Sequence, residues 1–456
     1  MITFQLSEVA ELLQGQLHGK EARFSAVSTD TRNLGPGELF VAIQGPNFDG
    51  HDFLSVAAQQ GAVGALVQRK VDTVLPLIQV DDSLRALGEL GAAWRKKATA
   101  FVIGITGSNG KTTLKEMCAA ILSQEGSVLA TRGNLNNHIG MPLTLMRLQQ
   151  EQFAVIEMGA NHAGEIRYLT NISRPDVAVL NNAGRAHLEG FGSLEGVARA
   201  KAEIIEGLDQ DGTFVFNADD RFADLWRELA AGRKQRTFGV QQAADVSSVP
   251  ESYRIEWGEH GFVAVFDVDA AGQEFQVKLH LAGEHNRMNA LAAIAACQLA
   301  GARVSQMQAG LASLQPVAGR LAPVSGRGGA RLIDDSYNAN PDSVIAALKV
   351  LGAAPGRRTL VLGDLSELGA DQDQMHAELG RHASQAGIER LVSCGQLSRA
   401  ASDSFEGESL HFDSQDALIE QLGSELTAED SVLIKGSRTS AMDRVVKSWS
   451  AEGDRC

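Results

Sequence analysis

The run Gly107-Ser108-Asn109-Gly110-Lys111-Thr112-Thr113 constrains this chain more than any other feature. It follows a short apolar β-type segment, residues 101–106, and precedes an apolar run of helical period, residues 114–122. Small residues between a strand and a helix let backbone N–H groups wrap around phosphate oxygens, and the helix N-terminus adds positive potential. Lys111 would bring a point charge to the β- and γ-phosphates, and Thr112 a hydroxyl for magnesium. Ile105 stands where the common pattern has its first glycine, so the loop is a variant of that pattern. A plain glycine turn before a helix is the ordinary alternative, and the strand-loop-helix context weighs against it.

Around this loop the chain reads as α/β. At 456 residues it is long enough for two to four domains. Residues 1–97 predict a small α/β unit, with a helix at 7–13, strands near 24–28 and 39–43, and an αβ alternation through 62–68 and 75–80. Residues 98–313 predict a central unit whose apolar runs at 101–106, 153–157, 177–180 and 213–217 imply a mostly parallel sheet covered on both faces. Period-two alternation within 235–282 predicts an antiparallel extension of that sheet, followed by an alanine-rich helix over 286–299. Residues 314–456 return to β-α-β, with strands at 331–334, 359–362, 390–393 and 431–434. Ligands of open α/β sheets lie at the carboxyl ends of strands, so the polar loops after three of these strands should face a cleft.

Composition removes several classes of function. A net charge of −15 and only 5% aromatic residues argue against nucleic-acid binding, which needs clustered cations and stacking platforms. The first residues have neither a basic nor an apolar segment of a secretory signal, and no run is long enough to span a membrane. Four scattered cysteines without metal-type spacing fit a reduced, cytoplasmic protein.

Further candidates are polar residues at predicted strand ends. Glu157 closes an apolar run about 45 residues after the phosphate loop, where a carboxylate can hold Mg²⁺; a solvated loop glutamate is the alternative. His187 follows the next strand, although Mg²⁺ prefers oxygen to imidazole. Lys201 reads by itself as an exposed helix lysine. Asn286 and Asn289 could cap the alanine-rich helix or meet a purine edge. The loop from Asp335 to Pro341 is dense in donors and acceptors, as an Asx-rich turn into a helix would also be. His376-Ala377-Glu378 with His382 lacks the spacing of a zinc helix and reads as a solvated face.

Taken together these stretches resemble the Mur ligases, and the resemblance runs along the whole chain. Their phosphate loop is similar to Thr106–Thr113 here, including the departure at Ile105. The resemblance implies three domains: a uridine-nucleotide-binding unit (1–97), a central P-loop ATPase-like unit (98–313) and a C-terminal Rossmann-like unit (314–456) that closes on ATP. It implies a cytoplasmic monomeric enzyme that uses ATP and two Mg²⁺ ions to activate a carboxylate as an acyl phosphate and join it to an amine. Glu157, His187 and Lys201 match that family's metal site, with Lys111 and Thr112 beside them and Lys201 carbamylated. Gly107, Ser108, Asn109, Gly110, Thr113, Asn286, Arg320, Asp335 and Asn340 fall where the family contacts ATP. Within the family, residues 335–341 and 363–369 are similar to the members that add D-alanyl-D-alanine to UDP-N-acetylmuramoyl-tripeptide. That implies a uridine diphosphate site at Ser28, Thr29, Asp30, Arg32, Asn47, Asp49, Gly50 and His51, with Asn134 and Asn137, and a dipeptide site at Asn338, Lys435, Ser437 and Arg438. The nearest competing readings are a ligase of the superfamily adding a single amino acid, and a P-loop kinase or switch.

Overall fold

The computed structural model describes residues 2–184, 188–258 and 261–451. Three large sheets, each accompanied by helices, and one two-stranded sheet organise them. Near the N-terminus, Val27–Ser28, Leu39–Val41, Gly64–Val67 and Leu77–Gln79 run parallel, with Gln16–His18 antiparallel on Leu77–Gln79. The single strand expected at 24–28 is divided in two, because Arg23–Phe24 pairs instead with Phe4–Gln5.

The central sheet has ten strands. Phe101–Thr106 lies in its middle, between Phe153–Glu157 and Val177–Leu180, all parallel. Side chains alternate between two cores: Val102, Ala154 and Ile156 face one, and Ile103, Ile105 and Val155 the other. Continuous apolar runs therefore bury both faces, as a parallel sheet demands. The antiparallel extension begins later than expected. Lys234–Gly239 and Val246–Ser248 still run parallel, and reversal comes with Gly261–Ala270, which pairs antiparallel with Arg254–Gly258 and Gln273–Leu279. Alternation in sequence reports one wet face, not strand direction, which explains the error.

Helix Glu284–Leu299 is buried along nearly its whole length. Its alanines let it approach Lys111–Leu122 closely, so the helix of the phosphate loop is packed between sheet and helix. The third sheet is parallel apart from its edge strand Ala322–Ser325, in the order Ala322–Ser325, Arg331–Asp335, Asp430–Lys435, Arg357–Gly363, Arg390–Cys394, Glu408–Phe412. Phe262 and Ala282 of the central region share one apolar cluster with Leu321, Ile333, Val344 and Leu348. This shared core fixes the third sheet against the second. Among the described residues no helix is long and apolar enough to cross a membrane.

Candidate active site

The phosphate loop lies where the central sheet switches direction, since the strands following Phe101–Thr106 are laid down on both its sides. Helix Lys111–Leu122 starts directly from it, and its N-cap, Gly110, has no side chain to satisfy the first amides. Those N–H groups point toward the loop as an anion site. Gly110 has φ 78°, and a Cβ there would fall 2.4 Å from Asn289 Oδ1. Both the conformation and the space require glycine.

Neutral amides hold the loop in shape. Asn109 N–H donates to Asn182 Oδ1 (2.8 Å), and its carbonyl accepts from Asn181 Nδ2 (3.0 Å) and Asn182 Nδ2 (3.1 Å). Asn181 Nδ2 also donates to Asn289 Oδ1 (2.7 Å), Asn289 Nδ2 to Asn286 Oδ1 (3.2 Å), and Asn286 Nδ2 to Ala282 O (2.8 Å). Ser108 Oγ donates to Gly184 O (3.2 Å) and accepts from Gly184 N–H (2.9 Å). Lys111 Nζ reaches back to Gly107 O at 2.7 Å. Desolvation holds the Lys111 ammonium below the usual lysine value; Glu157 opposes that fall and Arg320 adds to it. Thr112 and Thr113 occupy the first turn of the helix.

Glu157 ends its strand 2% exposed. Its Oε1 accepts from Asn136 Nδ2 (2.8 Å), while Oε2 is buried with no hydrogen-bond partner. A buried carboxylate oxygen left this way is costly unless something cationic faces it. Lys201, on helix Leu194–Ala202, is also 2% exposed, so the reading of a solvated helix lysine fails. Its Nζ lies 5.6 Å from the Phe191 ring centroid. Burial, with repulsion from Lys111, pushes its ammonium down to about 7. His187 lies outside the described residues. Among the described residues no three His, Cys, Asp or Glu side chains cluster as a ready-made metal cage.

Residues from the third sheet reach this place. Asn340 caps helix Pro341–Gly352 through Ser343 N–H (2.9 Å), and its Nδ2 donates to Asn109 Oδ1 (2.8 Å), which ties it to the phosphate loop. Asp335 and Lys435, expected at ATP and at the dipeptide respectively, are paired with each other at 2.5 Å. Asp335 Oδ1 also accepts from Leu321 N–H (3.1 Å), and Lys435 Nζ donates to Asn338 O (3.1 Å). Burial raises the Asp335 carboxyl above its usual range, with Lys435 pulling it back. Ser437 Oγ donates to Asp364 O (2.6 Å), which fixes the loop that carries Arg438. The guanidiniums of Arg320 and Arg438 both lie against the ring of Tyr337.

The first sheet and its loops carry Ser28, Thr29, Asp30, Arg32, Asn47, Asp49, Gly50 and His51, whereas Asn134 and Asn137 follow Val128–Ala130 of the central sheet. Ser28 Oγ and Asp30 form a tight turn (Asp30 N–H to Ser28 Oγ, 3.2 Å), with Thr29 between them, and Arg32 closes on Asp30 at 2.7 Å. Asn47 is exposed on the following loop. Asp49 accepts from His51 Nδ1 (2.6 Å) and from Arg69 (2.8 Å). Gln68 N–H donates to His51 Nε2 (3.0 Å), which places the ring proton on Nδ1. Arg69, followed by the backbone N–H and the ring of His51, holds the Asp49 carboxyl well below the usual carboxylate range. A Cβ on Gly50 would meet Ile43 N at 2.7 Å, so the loop can only cross there as glycine. Asn134 is exposed, and Asn137 Oδ1 accepts from Ile139 N–H (3.1 Å) and Gly140 N–H (2.9 Å), a turn-stabilising arrangement.

Sequence reasoning missed Asn136, Asn181, Asn182, Arg69 and Tyr337. The asparagine-rich runs 134–137 and 181–182 carried a signal, and Tyr337 lies in the singled-out run 335–341 without having been named for a role; Arg69 carried no signal.

Comparison with known proteins identifies the scaffold. The Mur ligase middle domain matches residues 105–297, the Mur ligase glutamate ligase domain 319–438, and the Mur ligase family catalytic domain 23–95. The chain belongs to the Mur ligase family. This Mur ligase is 45% identical over 457 residues to the UDP-N-acetylmuramoyl-tripeptide–D-alanyl-D-alanine ligase of Escherichia coli (strain K12), covering 99% of this chain and 100% of that one. A MurF crystal structure from Acinetobacter baumannii superposes with a TM-score of 0.90 at 35% identity, covering 98% of both chains. A MurF ligase of Thermotoga maritima, solved in complex with ADP, gives a TM-score of 0.84 at 30% identity, covering 94% of this chain and 98% of that one. The three-sheet α/β architecture of this Mur ligase is thus that of solved members.

Proposed function

We propose that this Mur ligase joins D-alanyl-D-alanine to UDP-N-acetylmuramoyl-tripeptide at the expense of ATP, through an acyl phosphate, forming ADP, phosphate and UDP-N-acetylmuramoyl-pentapeptide. Identity of 45% over the full length of the Escherichia coli enzyme of that name supports the substrates. The observation that carries the chemistry is the contact of Asn340 with Asn109, which brings the third-sheet loops onto the phosphate loop.

The tripeptide carboxylate attacks the γ-phosphorus of ATP, and the bond to ADP breaks. Both partners are anions, so cations must offset their repulsion. Lys111, Arg320 and the first amides of helix Lys111–Leu122 do this. The dipeptide amine then attacks the acyl carbon, phosphate departs with the electron pair, and the nitrogen loses its proton. Water would intercept the acyl phosphate, and the third-sheet loops over Asn109 restrict its access.

The buried, unpartnered Oε2 of Glu157 fits a hard cation. Thr112 and Glu157, with His187 and Lys201, would hold two Mg²⁺ ions. When bound, Mg²⁺ supplies neutralisation of the phosphate oxygens. Lys201 is carbamylated in this reading: a buried amine titrating near 7 is about half uncharged at neutral pH, and that form adds to carbon dioxide, releasing a proton and leaving an anionic oxygen ligand.

Around ATP, the remaining contacts come from Gly107, Ser108, Asn109, Gly110, Thr113, Asn286, Asp335 and Asn340. Ser28, Thr29, Asp30, Arg32, Asn47, Asp49, Gly50 and His51, with Asn134 and Asn137, take the uridine diphosphate portion. Asn338, Lys435, Ser437 and Arg438 take the dipeptide. Three units, 1–97, 98–313 and 314–456, each built on one main sheet, act together in a cytoplasmic monomer.

The reaction is tested with oxygen-18 in the tripeptide carboxylate. Labelled phosphate is expected, and only when tripeptide and dipeptide are both present; unlabelled phosphate would overturn the acyl-phosphate route.

A further inference from the structure

Tyr337 sits between two cations drawn from different parts of the chain. The Arg320 guanidinium carbon lies 4.6 Å from the ring centroid and that of Arg438 4.9 Å. Tyr337 is 39% exposed, so it is not a core residue. Its backbone is nonetheless fixed. Tyr337 N–H donates to Gly319 O (3.1 Å), beside Arg320, and Gly319 N–H donates to Asp334 Oδ2 (2.8 Å). Gly319 has φ 78°, and a Cβ there would meet Tyr337 Cβ at 2.9 Å. Leu321, on the other side of Arg320, holds a positive φ of 49°, which costs a non-glycine residue and persists only where neighbours enforce it. Asp335 Oδ1 does so, through Leu321 N–H. From the other direction, Lys435 binds Asp335 and Asn338 O, drawing the Ser437–Arg438 turn to the same ring.

Two guanidiniums drawn to one ring are like charges and repel. A carboxylate between them would relieve the repulsion but would occupy their N–H donors and cancel the positive field. An aromatic face attracts both cations and leaves their N–H edges free. Arg320 lies within electrostatic reach of Lys111 of the phosphate loop. Arg438 lies on the Lys435–Ser440 loop, at the carboxyl end of Asp430–Lys435.

We infer that Tyr337 is a positioning residue, a shared π platform that orients Arg320 toward the nucleotide phosphates and Arg438 toward the free carboxylate of the incoming dipeptide. This rests on the proposed reading that Arg320 serves ATP and Arg438 serves D-alanyl-D-alanine. It goes further in making one ring couple the two substrate sites and in naming the carboxylate as the group that Arg438 reads.

The experiment uses the full chain and measures phosphate release while ATP and dipeptide are varied separately. The variants are Tyr337→Phe, Tyr337→Leu, Arg320→Ala and Arg438→Ala, each checked for an unchanged thermal midpoint. Tyr337→Leu should raise KM for both ATP and dipeptide by between about twofold and fivefold, with a smaller change in kcat, because an exposed cation–π contact is worth about that much. Tyr337→Phe keeps the ring and should restore both. In an Arg438→Ala background, Tyr337→Leu should still raise KM for ATP but no longer that for dipeptide. Wild type should prefer D-alanyl-D-alanine over its C-terminal amide, and Arg438→Ala should lose the preference. If the arginine variants raise their assigned KM values while Tyr337→Leu changes neither, the platform is refuted and the underlying reading stands. If Tyr337→Phe falls as far as Tyr337→Leu, the hydroxyl is responsible and the platform is again refuted. If neither arginine variant alters its assigned KM, the underlying reading falls with it.

Discussion

Replacing Lys201 by Met should make this protein more stable and less active. The lysine is 2% exposed, and its ammonium is pushed from 10.5 to about 7, chiefly by burial. In the unfolded chain the amine keeps its proton up to about 10.5; in the folded chain it releases it near 7. Between those values the unfolded state binds one more proton, so stability rises with pH through the window, by up to about 1.4 kcal/mol per unit from this group. Integrated over the window, the buried amine costs the folded state roughly 4 kcal/mol at pH 7. Methionine keeps the apolar stem and has no proton to lose. The Lys201→Met chain is therefore expected to unfold at higher urea than wild type at pH 7, with the advantage shrinking steadily toward pH 10. The measurement is urea denaturation of both chains at pH 7, 8 and 9 in bicarbonate-free buffer, where the difference between them cancels the other titrating groups. A Met variant that is less stable at pH 7, or a difference that does not change with pH, would refute the reasoning. Added bicarbonate supplies the carbamate arm. It should stabilise wild type and raise its rate, because a ligand that binds only the folded state stabilises it, and it should leave Lys201→Met unchanged.

Other substitutions probe the rest of the site. Glu157→Gln preserves an acceptor for Asn136 but removes the charge at Oε2, and ADP formation should fall by roughly a hundredfold or more with a raised Mg²⁺ requirement. Asn136→Ala leaves the carboxylate in place but unheld, and a magnesium titration of activity should shift by about tenfold to a hundredfold. Gly110→Ala forces a side chain into φ 78° and toward Asn289 Oδ1, and should cost about 1–3 kcal/mol in a thermal melt as well as ATP affinity. Asp335→Asn leaves buried Lys435 without its counter-charge and should destabilise the chain by about 3–5 kcal/mol in urea, against at most about 1 kcal/mol for Asp30→Asn at the exposed Arg32 pair.

The amount that could be read from sequence differed by residue, for physical reasons. Phe101–Thr106, Phe153–Glu157, Val177–Leu180 and Thr213–Asn217 are legible to the residue, because a strand buried on both faces must be apolar throughout and stops where it meets polar loop. Gly110 and Lys111 are legible because phosphate binding restricts both backbone and charge. The parallel strands Lys234–Gly239 and Val246–Ser248 are not, since pairing direction is decided by neighbours far along the chain. Lys201 reads as a surface lysine because nothing in Ala200-Lys201-Ala202 announces burial. The Asp335–Lys435 pair spans 100 residues and forms only when Arg331–Asp335 and Asp430–Lys435 become adjacent strands. Arg69 on Asp49 and Arg438 on Tyr337 depend on folding in the same way.

The preponderance of asparagine around the phosphate loop then follows from what the site must and must not neutralise. Asn109, Asn181, Asn182, Asn286, Asn289 and Asn340 each offer a donor and an acceptor, so they can pin a strained loop from several sides. Aspartate in those places could only accept, losing the bonds that the Nδ2 groups donate, and would cancel the field of Lys111 and Arg320 that two anionic reactants require. Additional cations would strengthen that field, but would drive the proton from Lys111 itself, whose ammonium is already held low by burial and by Arg320. A neutral scaffold keeps the charge where the phosphate oxygens arrive. The same Lys111 field adds to burial in lowering the Lys201 ammonium to about 7. In the proposed reading, one arrangement thus prepares both the anion site and the lysine that takes up carbon dioxide beside it.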